Sequence, residues 1–140
     1  MQKYVDRYTL ALVALGALLI FGLANVTIGN ASPLGVATAY VGKNPTGWSR
    51  QWCGKFMDYT LRKSGKRGGG NKASAYARYG RASGCRKGAI AVMSTHVGYV
   101  VSCSKGSVRV LSGNHSGKAG NRKVGYGNYR RSRIIAFRMP

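Results

Sequence analysis

One cysteine and one histidine carry the chemistry this chain can offer. Cys53 stands in SRQWCGKFMDYTLRKSG, where Cys53, Phe56, Met57, Thr60 and Leu61 recur at three- and four-residue spacing and so share one face of a helix. Ser49 is the expected N-cap and Gly65 the expected stop. A cysteine in the first helical turn meets free backbone N–H groups and the positive end of the helix dipole, and both favour thiolate. Taken alone, Cys53 reads first as a buried structural thiol beside Trp52. His96, in THVGYVVS, opens an expected strand, and Asn114, in LSGNHS, follows the next one at a chain reversal. Alone, each is ordinary surface or turn chemistry. In the order helix cysteine, strand histidine, polar residue, they supply a nucleophile, a base for its proton and a group that orients the base.

Charge narrows the alternatives. The 140 residues carry 23 Lys and Arg against two acids, Asp6 and Asp58, with no glutamate, for a net charge of +21. Paired-carboxylate glycosidases, carboxylate metal sites and Mg-dependent phosphoryl transfer need acids that this chain lacks. No metal or cofactor is expected. The basic residues are densest over Arg62–Arg67 and Asn121–Arg133, where Tyr126 and Tyr129 interleave with Arg130, Arg131 and Arg133. Such a field draws the domain to polyanions: anionic cell-wall polymer, a membrane surface or nucleic acid. Its bland reading is a solvated surface.

The elements that must position these residues follow a leader. Lys3 and Arg7 precede an apolar run from Leu10 to Phe21, and Gly29 and Ala31 fit a cut that leaves a mature chain from Ser32. Gly22 and Ala24 offer an earlier cut, and an uncleaved anchor over 9–28 is the competing expectation. Either way residues 32–140, one domain, are exported. Within them the expected elements are a short helix at Val36–Val41, a loop at Gly42–Trp48, the cysteine helix, and a basic KRGGGN turn. A second helix, Lys72–Tyr79, would be capped by Asn71. Four strands of an antiparallel sheet follow from about Gly88: GAIAVMS, HVGYVVS, SVRVLSG and SRIIAFRM. Helices before strands give an α+β fold with N-terminal helices packed on a small sheet.

WCGKF with Cys53, THVGYVV with His96 and SGNHS with Asn114 resemble the signature of the CHAP (cysteine, histidine-dependent amidohydrolase/peptidase) and NlpC-like peptidoglycan hydrolases, small secreted bacterial members of the papain-like superfamily. The resemblance spans Ser32 to Pro140. It implies Cys53 as nucleophile, His96 as general base and acid, and Asn114 as orienter, with His115 beside it as a second candidate for that role. The implied oxyanion hole is the backbone N–H of Cys53, with Gln51 as a side-chain candidate. The implied reaction is hydrolysis of amide bonds in the peptide part of peptidoglycan by a monomer, with transient membrane-surface contact and no nucleic-acid partner. A non-catalytic cationic binding module on the same scaffold is the alternative.

Three cysteines in an exported domain allow one disulfide and one free thiol. If the first hairpin turns near Ser94 and Thr95, facing residues have numbers summing to about 189, which sets Cys103 near Cys85 and leaves Cys53 free.

Overall fold

The computed structural model describes residues 31–140. The expected leader, except Ala31, and the alternative anchor over 9–28 lie outside them. Among the described residues no helix is long and apolar enough to cross a membrane.

Ser32 and Pro33 start the first helix, α1 (Pro33–Thr38). Ser32 Oγ accepts the Gly35 N–H at 3.0 Å, and Pro33 sits where a missing N–H costs nothing. The helix therefore begins three residues before the expected Val36 and seats Leu34 and Ala37 in the core. Beyond it Val41 makes a parallel bridge to Val124, through Gly42 N–H to Val124 O at 3.0 Å and Val124 N–H to Lys43 O at 2.8 Å.

The second helix, α2 (Cys53–Lys63), buries Cys53, Phe56, Met57, Thr60 and Leu61, the face read from the sequence spacing. Its start differs from expectation. Trp52, not Ser49, is the N-cap residue and makes no side-chain cap bond. The chain's entry into the helix is fixed by packing instead, since the Trp52 ring is fully enclosed and meets Phe56 edge-on at 6.1 Å. The far end closes with Lys66 N–H on Leu61 O and Gly65 N–H on Arg62 O, and Gly65 supplies the positive φ of 78° that this pairing requires. Asp58 accepts from Arg62 Nε at 2.9 Å and Gly70 N–H at 3.0 Å, tying the KRGGGN turn to the helix. The expected second helix is a 3-10 segment, Ala73–Arg78, and no Asn71 side chain caps it. Its Tyr76 hydroxyl lies over α2, donating to Gly70 O at 2.7 Å and facing Gly54 O at 3.2 Å.

Six antiparallel strands make the sheet: β1 (Arg81–Ser83), β2 (Ile90–Val92), β3 (Val97–Cys103), β4 (Ser107–Ser116), β5 (Lys123–Arg130) and β6 (Ala136–Met139), in spatial order β1-β6-β2-β3-β4-β5. The protein is an α+β fold. Two of these strands, β1 and β5, were not expected: β1 has three residues, and β5 alternates Gly125 and Gly127 with polar residues, so neither shows an apolar period. The β2–β3 register pairs Ile90 with Tyr99, and Cys85 is bonded to Cys103 with Cα atoms 6.2 Å apart, as the hairpin arithmetic requires. Cys53 is free.

The sheet has two apolar faces. Ile90, Val92, Val97, Tyr99, Leu111 and Val124 pack with the helices, and the Thr60–Tyr99 hydroxyl contact of 2.8 Å pins α2 onto β3. Ala89, Ala91, Val100, Val108 and Val110 face the other way, covered by Tyr129, Ile134, Phe137 and Met139.

Candidate active site

Helix α2 delivers its first residue to the end of the sheet. The Cys53 side chain is 6% exposed, and its sulfur faces the backbone N–H groups of Gly54, Val97 and Cys53 itself. These donors favour thiolate, as the helix start led us to expect. Burial opposes them and wins, pushing the Cys53 thiol above its ordinary range. The expected depressed thiol is therefore corrected: a helix N-terminus offers a fraction of a charge, whereas removing a thiolate from water costs more.

His96 is the residue before Val97, so its backbone stands at the same end of the sheet as the thiol. The turn that holds it is closed by Met93 N–H on His96 O at 2.8 Å. His96 Nε2 lies 2.8 Å from Ser112 Oγ, and its ring lies 5.8 Å from the Tyr129 ring. Burial first, then the electrostatic influence of His115, Arg133 and Arg122, lowers the His96 pKa from 6.5 to about 4. The resting pair is thus a neutral thiol and a neutral imidazole. Nδ1, the other ring nitrogen, has no hydrogen-bond partner among the described residues.

Asn114 lies inside β4, not at a chain reversal. The β3–β4 register of Tyr99 with Leu111, carried back three residues, sets His96 across from Asn114. The hydrogen bond nevertheless goes to Ser112. Asn114 has φ of 54°, and the β4–β5 register shifts between Ser112 and Ser116, so the chain is twisted out of regular alternation where Asn114 sits. Its Oδ1 is buried without a partner among the described residues, as is Trp52 Nε1. Ser112, 1% exposed, shares the sheet face of Val108 and Val110. Sequence reasoning missed it and Tyr129, although period-two counting back from Asn114 points at Ser112. His115 does not reach the His96 ring by a hydrogen bond; its Nδ1 meets the Tyr129 hydroxyl at 3.2 Å.

Gln51, exposed and at φ of 50°, precedes the helix. Among the described residues no three His, Cys, Asp or Glu side chains gather as a metal site. A groove of about 490 Å³, lined by Lys55, Asp58, Tyr59, Arg62, Lys63 and Asn71, lies on the solvent side of α2. It does not include Cys53, and we place the candidate chemistry at the start of α2, where the thiol lies near backbone N–H groups and His96 immediately precedes Val97.

No protein-family model matches the chain, and no curated protein matches it either. Arg133 stacks on Tyr129 at 5.6 Å and Arg109 on Tyr126 at 5.0 Å, and the charges of Arg122 and Arg133 reach His96.

Proposed function

We propose that residues 32–140 are an exported cysteine hydrolase of papain-like arrangement that cleaves amide bonds in the peptide part of bacterial peptidoglycan. The observation that carries this reading is the corner itself. The backbone N–H groups of Gly54, Val97 and Cys53 favour the Cys53 thiolate, and Val97 follows a histidine whose Nε2 is held by Ser112.

Chemistry follows from the neutral resting pair. As Cys53 sulfur attacks the scissile carbonyl, His96 Nδ1 takes the thiol proton, and the N–H of Cys53 faces the developing oxyanion. The imidazolium then protonates the departing amine, leaving a thioester. Water, deprotonated by the same nitrogen, adds to the thioester and releases a carboxylate, and the proton returns to sulfur. The positive rim draws an anionic wall polymer to the corner and needs no acid of its own. Asn114, in this reading, shapes the turn of β4 while Ser112 orients the base.

The buried thiol and the cationic groove on α2 favour a second reading, a cationic binding module without turnover. A paired assay separates the two: pelleting with purified peptidoglycan, and mass spectrometry of released fragments. Hydrolase activity predicts fragments from the wild type and none from Cys53→Ala or His96→Ala, with binding retained in all three. Binding without fragments on every wall type tested would leave the module.

A further inference from the structure

A second charged site lies on the solvent side of α2, apart from Cys53. Lys55, Asp58, Tyr59, Arg62 and Lys63 recur there at three- and four-residue spacing, over about 12 Å of helix, and line the groove of about 490 Å³ together with Pro45 and Thr46 of the preceding loop. Each cation in it is held by a different neighbour. We propose that this groove is a binding site for a phosphate monoester, carried by a small soluble molecule or by a lipid headgroup.

Arg62 Nε donates to Asp58 Oδ2 at 2.9 Å, and Asp58 Oδ1 accepts from the Gly70 N–H at 3.0 Å. The one carboxylate of the groove is thus engaged, while both Arg62 Nη groups are without a partner among the described residues. Turn packing fixes that fork. A Cβ on Gly68 would lie 2.5 Å from Arg62 Nε and 2.6 Å from its Nη2, so the KRGGGN turn lies against the guanidinium only because it has no side chain there. Lys63 Nζ donates to the Tyr40 hydroxyl at 2.6 Å and to the Tyr59 hydroxyl at 3.2 Å, which leaves one of its three N–H donors. The two phenols also bond each other at 2.8 Å. Lys55 Nζ stands 4.4 Å from the centre of the Trp48 ring. Facing them, Thr46 is set by Asn44 Oδ1, which accepts both its N–H and its hydroxyl. Three cations therefore meet one paired acid, and their donors are fixed before a ligand arrives, which lowers the cost of binding. A phosphate monoester suits them. Its oxygens can take the planar Arg62 fork and the Lys63 point charge together, and its second negative charge matches the surplus of cations. A carboxylate offers only two oxygens and one charge.

The site rests on neither reading of Cys53, which does not line the groove, so absence of turnover leaves it standing. Side-chain NMR of the Lys ammonium and Arg guanidinium groups tests it, with glycerol 3-phosphate titrated into the full chain against chloride at fixed ionic strength. Saturable shifts confined to Lys55, Arg62 and Lys63 are expected. Arg62→Gln and Lys63→Gln should each weaken binding roughly 10-fold or more, as loss of a hydrogen bond to a charged group does. Lys105→Gln, the same charge loss on the exposed turn between β3 and β4, should leave it nearly unchanged. Arg62→Gln also frees Asp58; Lys63→Gln leaves that pair intact and has to show the same loss. Vesicles of phosphatidic acid supply the headgroup arm. Binding there that falls in both groove variants but not in Lys105→Gln, with no binding of free glycerol 3-phosphate, assigns the site to a lipid. Shifts spread over the whole basic surface, equal losses in all three variants, or acetate bound as tightly as glycerol 3-phosphate overturn the phosphate site.

Discussion

Cys53 and His96 are held neutral by the same cause, and that sets how each responds to pH. Because burial raises the Cys53 pKa, alkylation by iodoacetamide is expected to be slow at neutral pH and to accelerate only above the ordinary thiol range. Mass-spectrometric labelling across pH checks this; rapid labelling in mild acid would mean that the three N–H groups outweigh burial after all. For His96 the folded value of about 4 lies below the unfolded 6.5, so the unfolded chain binds the extra proton first. Its contribution to stability is fully present above pH 6.5, declines as the pH falls, and is gone below about 4, a loss of up to about 3 kcal/mol. Denaturant melts of the wild type and His96→Gln should therefore converge toward acid, with the variant showing the flatter pH dependence. If hydrolysis is measurable, the acid limb of kcat/KM should fall near 4 rather than near 6.5.

Between α2 and β4 the backbone approach is close enough to govern the site. A Cβ on Gly113 would lie 2.6 Å from both Trp52 Cζ3 and Phe56 Cβ, atoms in the first turn of α2 and its cap. Neither can yield without moving Cys53. Gly113→Ala is expected to cost about 1–3 kcal/mol by overpacking and to shift the thiol away from Val97 N–H. Lower thermal stability together with altered Cys53 labelling would show both effects; a wild-type melting temperature would mean that this contact has slack. The helix face itself was legible, since Cys53, Phe56, Met57, Thr60 and Leu61 follow the helical period and are all buried. Its first residue was not, because Trp52 terminates the helix by packing and not by a capping side chain.

At the scale of the whole chain, two features act on every element at once. The disulfide closes the β2–β3 hairpin from behind, and for a separation of 18 residues its loss should destabilise the fold by about 3 kcal/mol. Melts of Cys85→Ser/Cys103→Ser, or of the wild type under reductant, measure it; equal stability in both states would remove its structural role. The net charge of +21 makes attraction to an anionic wall long-ranged, so binding should weaken steeply with salt in wild type and Cys53→Ala alike. Salt-insensitive pelleting would point to apolar or stereospecific contacts instead.

Local order was within reach of the residues alone. The buried face of α2, the β2–β3 register and the pairing of Cys85 with Cys103 depend on spacing along a short stretch, and helical and strand periods make spacing readable. The α+β class followed from the same periods. Strand β5 escaped because Lys123–Arg130 owes its pairing to the ten-residue neighbour β4 and not to any apolar rhythm of its own. The choice of Ser112 over Asn114 at His96 Nε2 turned on a local twist of β4. The direction of the Cys53 pKa was decided by depth. A helix start can be seen in sequence, but how much protein covers it cannot, and the cost of desolvation grows with that cover.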